Sequence, residues 1–167
     1  KNTIDKTTDQ TKDVSIANST TTWNEPDSAY KATYPYNRVY KTETGHVKEY
    51  DDTEGEERIH EYHKSGSFYE IDKDGNKVTR LVKDNYVIVA GDDYVNIKGS
   101  VNLTIDNNCN MHVKGNYEVQ VDGNKNEVIK GTLNQTVTGN VTETYSGNQT
   151  TAISGNLDVD AARIDLN

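Results

Sequence analysis

Through most of its second half the chain alternates apolar and polar residues without a slip. Of the 34 odd positions from 95 to 161, 20 are apolar and seven are glycine. Among the even positions from 96 to 162 only Val128, Ala152 and Ala162 are apolar. A period of two held this long predicts extended β backbone with one buried face and one wet face. A period of eight runs through it: Gly91, Gly99, Asn107, Gly115, Gly123, Gly131, Gly139, Gly147 and Gly155. Two residues before each comes Val89, Ile97, Ile105, Val113, Val121, Ile129, Val137, Tyr145 or Ile153, an inner apolar stripe. The unit is Val/Ile-x-Gly and five further residues, a structural repeat of about seven extended residues and a bend. Glycine permits a positive-φ kink at such a corner, and asparagine, as at Asn107, is its usual substitute.

Upstream the pattern is different. Short alternating stretches at 38–42, 46–50, 58–63, 68–71 and 77–82 are separated by turn signals such as Glu43-Thr44-Gly45, Lys64-Ser65-Gly66 and Lys73-Asp74-Gly75. That is the signature of an antiparallel meander. Residues 1–22 are a polar tract that can form no core of its own, so they read as a linker or extended arm. The expected organisation is all-β: arm 1–22, meander 23–86, repeat 87–161 and a C-terminal tip segment 162–167.

Composition changes the picture in one respect. Only 32% of the 167 residues are hydrophobic and the net charge is −9, values at the edge of the disordered range. The octads have one apolar face and nothing else in the chain to cover it. Hairpins would leave that face open, and a solitary three-octad solenoid would have a thin core. Three chains wound around one axis bury the stripe and pair the backbone, so the repeat is expected to form an intertwined triple-stranded β-helix, a homotrimeric prism. Eight octads stacked at the strand spacing rise about 40 Å. Six polar residues at inward positions late in the repeat, Lys125, Glu127, Gln135, Glu143, Gln149 and Thr151, would each become a ring of three. Lys125 and Glu127 are placed to neutralise one another. Glu143 is expected to hold water or a cation on the axis; a wide, wet lower shaft is the alternative. No other cofactor is expected.

Candidate chemistry is sparse. The acidic balance and the lack of a basic cluster argue against nucleic acid. Cys109, the single cysteine, excludes an intrachain disulfide and reads as a small buried residue. His60 and His63 lie near Glu57 and Glu61, but an extended strand sends them to opposite faces, so they read as packing or surface histidines. His46 and His112 are isolated and receive no role. The run Asp51-Asp52-Thr53-Glu54-Gly55-Glu56-Glu57 lacks calcium-loop spacing and reads as a solvated turn. Five Asn-x-Ser/Thr sequons are by-products of an Asn- and Thr-rich chain. No catalytic residue is proposed. The start at Lys1 reads as a fragment of something longer.

The segment Tyr-Pro-Tyr-Asn-Arg-Val-Tyr-Lys-Thr-Glu-Thr-Gly-His-Val-Lys-Glu-Tyr-Asp-Asp-Thr from Tyr34, the later Glu-Arg-Ile-His-Glu-Tyr-His-Lys-Ser-Gly, and the Val-x-Gly octads resemble one family. It is the central baseplate spike of T-even-like contractile phages, the tail-associated lysozyme and VgrG-like spike family. The resemblance covers roughly residues 30–160. It implies a trimeric β-helix in the virion tail that punctures the host outer membrane, an upstream domain seated on a baseplate hub, and a small PAAR-like tip protein. Ala161, Ile164 and Leu166 are the expected docking face for that tip, or a simple core plug. The family's lysozyme carboxylates have no counterpart here, so a non-enzymatic fragment is expected. Asn107 in a glycine slot and the few inner apolar residues after Gly123 depart from the pattern. The alternative reading is a receptor- or glycan-binding fibre segment, which would need an exposed aromatic patch or groove on the shaft; an enzyme would need a cleft.

Overall fold

The computed structural model describes residues 11–164. Its elements are seven β-strands and no helix among the described residues, an all-β architecture. The chain divides into two units, Lys1–His112 and Val113–Asn167.

The centre of the first unit is a five-stranded antiparallel meander. Its strands are β3 (Asn37–Lys41), β4 (Val47–Asp51), β5 (Arg58–Tyr62), β6 (Phe68–Ile71) and β7 (Lys77–Arg80), each paired with its sequence neighbour. The boundaries match the alternating stretches within a residue or two. Three of the four connections are built alike. In each, a glycine with left-handed φ ends a short turn: Gly45 (φ 98°), Gly66 (φ 99°) and Gly75 (φ 80°). Each glycine N–H donates three residues back, to the carbonyl of Thr42, His63 or Asp72 at 2.9–3.1 Å. The first turn residue adds a side-chain acceptor: Thr42 Oγ1 takes His46 N–H, His63 Nδ1 takes Ser65 N–H, and Asp72 Oδ1 takes both Asp74 N–H and Asn76 N–H. A three-residue turn closed by a left-handed glycine keeps the strand twist right-handed, which fixes the register. The fourth connection, 52–57, is longer and turns at Gly55 (φ 72°).

Burial alternates along β4, β5 and β6, so the sheet has an inner and an outer face. The inner face is covered by the segment preceding the sheet, residues 25–31. Glu25 holds Arg80 at 3.1 Å, and Ser28 Oγ and Ala29 N–H both donate to the Glu70 carboxylate. Sequence pattern alone had placed 23–36 with the strands; the structure makes its first part a strap. Within the described part of the arm, β1 (Val14–Ser15) pairs with β2 (Thr22–Trp23) around Asn18, which adopts φ 53°.

The repeat is extended and bends at regular intervals. Among the described residues no strand pairing and no backbone–backbone hydrogen bond involves a residue after Arg80. The backbone bends in two-residue steps at 90–91, 98–99, 106–107, 114–115, 122–123, 130–131, 138–139, 146–147 and 154–155. Each step ends on the octad glycine or on Asn107. None of these residues has a left-handed φ, which corrects the expected reason for glycine there. Nor would an added Cβ meet anything within 4 Å in the same chain. The glycines are therefore not demanded by their own backbone or by their own chain's packing.

Candidate functional surfaces

Three surfaces carry chemistry. The first is buried. On the inner face, Glu49 of β4, His60 of β5 and Glu70 of β6 stand opposite one another, with Asp51 opposite Arg58 in the next row. All five are buried, His60 most completely, at 1% exposure. The Arg58 guanidinium spans two carboxylates, with Nη2 on Glu49 Oε2 and Nη1 on Glu70 Oε2 at 2.7 Å. Tyr30 of the strap lays its ring 5.0 Å from the guanidinium carbon. Asn37 Nδ2 donates to Glu49 at 3.4 Å, and Asp51 Oδ1 takes Thr53 N–H and Oγ1–H. Buried charge is tolerated only when paired and hydrogen-bonded, and here one cation bridges two anions beneath an aromatic lid. His60 Nδ1 comes within 3.1 Å of Glu70 Oε2 but out of line for a hydrogen bond. Its ring packs instead near Phe68 and Tyr62.

His60 is thus a packing histidine, on the face opposite that of His63. His63 meets His46 at 4.4 Å between ring centroids, a contact that sequence reading missed by leaving His46 without a role. The acidic run is not wholly a solvated turn, since Asp51, its first member, is 2% exposed. The Arg58–Glu49–Glu70 cluster was also missed. Its signal lay in the sequence: Val47, Glu49, Asp51 and Arg58, His60, Tyr62 alternate with the strand period, with opposite charges on one face. Among the described residues no group of three His, Cys, Asp or Glu is placed to hold a metal, and no helix is long and apolar enough to cross a membrane.

The second surface is the outer face of the sheet. Tyr40, Lys48, Glu61, Tyr69 and Thr79 form one cross-strand row through all five strands. They line a groove of about 600 Å³ that runs to Leu81. Within it, Lys48 and Glu61 approach to 3.9 Å and Tyr69 donates to Glu61 at 3.1 Å. The Tyr69 hydroxyl is pushed above its ordinary pKa, first by that hydrogen bond and then by burial. The groove's fixed charges cancel, and its walls are aromatic and aliphatic.

The third surface is the octad stripe. Val89, Ile97, Ile105, Val113, Val121, Ile129, Val137 and Ile153 all lie between 45% and 54% exposed, the same partial shelter beside each bend. Cys109 is exposed as well, not buried as expected. Of the polar inward residues, Lys125 Nζ donates to Glu127 at 2.7 Å, which raises the lysine and lowers the carboxylate pKa. Glu143 accepts the Tyr145 hydroxyl at 3.1 Å. Gln135 and Gln149 are exposed, as are Ala161 and Ile164. Leu166 lies outside the described residues.

No protein-family model matches the chain. Comparison with curated proteins nonetheless finds relatives among phage proteins named Gp5. The chain is 49% identical over 67 residues, 40% of its length, to Protein Gp5 of Vibrio phage KVP40. It is 41% identical over 64 residues, 38% of its length, to the pre-baseplate central spike protein Gp5 of Enterobacteria phage T4. The matched stretches span only 16% and 11% of those two proteins.

Proposed function

We propose that this chain is the non-catalytic needle of a phage baseplate spike, in which three copies wind around a common axis into a membrane-piercing prism. The supporting observation is the state of the repeat. From residue 87 to residue 161 an apolar stripe stays half exposed, the backbone bends every eighth residue, and among the described residues no backbone–backbone hydrogen bond is made there. Backbone N–H and C=O groups beside an apolar face require partners, and identical neighbours in the same register supply them. Both curated relatives are phage Gp5 proteins, and the one from T4 is named as a pre-baseplate central spike protein, which gives such a shaft a setting in the virion tail.

In this reading the work is mechanical. Force along the axis is shared by strands that must shear together, and no wound copy peels away alone. The Lys125 and Glu127 rings neutralise each other, and Glu143 holds water or a cation on the axis. The hub is reached through upstream domains, the prism acts at the host envelope, and the C-terminal end, with Ala161, Ile164 and Leu166, receives a PAAR-like tip. Light scattering tests the core of the proposal: three times the chain mass, resistant to cold SDS, is expected, and a stable monomer overturns it.

One observation favours a second reading. The glycan- or receptor-binding alternative expects its aromatic groove on the shaft; the structure has one on the meander instead, beside Tyr40 and Tyr69. Glycan-array binding that is lost in Tyr69→Ala would support it; silence on the array leaves the groove to another occupant.

A further inference from the structure

Among the described residues of the first unit, two apolar surfaces lack a cover. One is the groove on the outer face of the meander. The other lies where the repeat begins. Tyr86, Ile88, Ala90 and Tyr94 occupy even positions, which downstream are polar except at Val128, Ala152 and Ala162. Tyr86, Ile88 and Tyr94 are 81%, 89% and 88% exposed, far more than the octad stripe. With Val87, Val89 and Val95 on the odd side, this stretch alone in the repeat is apolar on both faces. A strand of that kind is one buried on both sides. Its odd side continues the octad stripe; its even side needs a second partner that later octads do not.

We propose that Tyr86, Ile88 and Tyr94 of one copy seat in the sheet groove of a neighbouring copy. The inference rests on the reading that copies of the chain wind together. The chemistry of seat and occupant agrees: Tyr40, Tyr69 and Leu81 offer rings and an aliphatic rim, and the Lys48–Glu61 pair leaves no net charge to attract an ion. Position agrees too. Leu81 lines the groove and also starts the connection, and only five residues separate Arg80 from Tyr86. The six steps from Arg80 to Tyr86 reach at most about 21 Å. In a rotationally symmetric assembly, the segment therefore starts within that axial distance of every groove, its own and its neighbours'. The segment does not fold back into its own sheet, since its side chains stay in solvent. The seat also explains why the outward face turns polar after Tyr94.

The test is photocrosslinking of the whole chain in a Cys109→Ser background. Tyr86→Cys, carrying a benzophenone on the new thiol, is assembled from a mixture of light and nitrogen-15-labelled copies and irradiated. The expected product is an inter-copy adduct whose fragments join a light 86 peptide to a heavy peptide from 37–82. The reciprocal probe, Tyr40→Cys, is expected to mark 86–94 of the other isotope, which keeps the test open if the first probe disturbs the segment. Light scattering on the same samples separates the failures. A trimer giving no inter-copy adduct, or adducts only within one copy, overturns the seat and leaves the winding intact. A monomer overturns both.

Discussion

At the scale of single residues, Arg58 decides most. It is 5% exposed and is the only cation between Glu49 and Glu70 in the buried cluster described. Removing one partner of a buried ion network strands the rest, at about 3–5 kcal/mol. Arg58→Met is therefore expected to lower urea-unfolding stability of the sheet by that order. Arg58→Lys should recover little, because a point ammonium cannot bridge two carboxylates as the planar fork does. Asp72 gives a smaller effect with a definite sign. Asn76 side-chain and backbone hydrogen bonds hold its carboxyl below the ordinary value of 3.8. A depressed folded pKa adds stability that is present above the unfolded pKa and lost as pH falls through the folded one. Between pH 5 and pH 2 the wild-type sheet is expected to lose a margin that Asp72→Asn never had. Thermal melts of the two proteins across that range should converge at the acid end.

At the scale of elements, the turns separate two uses of glycine. Gly66 sits at φ 99° with an added Cβ 3.4 Å from Val82 Cγ1, whereas Gly55 sits at φ 72° in open space. Gly66→Ala is expected to cost about 1–2 kcal/mol in chemical denaturation, and Gly55→Asn less than about 0.5, since asparagine tolerates the left-handed region. The strands between these turns were legible because local signals agree: period-two burial, β-branched and aromatic residues, and a glycine closing each turn. The strap was not, because residues 25–31 have no period and gain order from partners distant in sequence, among them Glu70, Arg80, Arg58 and Glu56. The charged inner face was hidden for a related reason. Glu49, Asp51, Arg58, His60 and Glu70 are polar letters at buried positions, and only cross-strand register shows that their charges meet.

For the whole molecule, the octad glycines give the sharpest argument. A residue kept glycine at every eighth position has a reason, and the lone chain supplies neither a left-handed φ nor a nearby atom. Asn107 departs from the pattern, since a side chain stands in that glycine slot, also without a positive φ. If copies wind together as proposed, the backbone of a neighbouring copy passes the glycine corners and leaves room for a side chain only at 107. Gly115→Ala separates the two cases. If the chain acts alone, alanine at an exposed, non-left-handed corner changes stability by only a few tenths of a kcal/mol, in either direction. If copies cross there, each added methyl meets backbone in every chain of the assembly at once, and threefold repetition multiplies the penalty. The expected outcome is a mixture of trimer and monomer in cold SDS for Gly115→Ala where the parent stays trimeric, with the circular-dichroism signal of the meander unchanged. An SDS-resistant trimer in both proteins would show that the corner is open even in the assembly, and the eightfold glycine would then need a different cause.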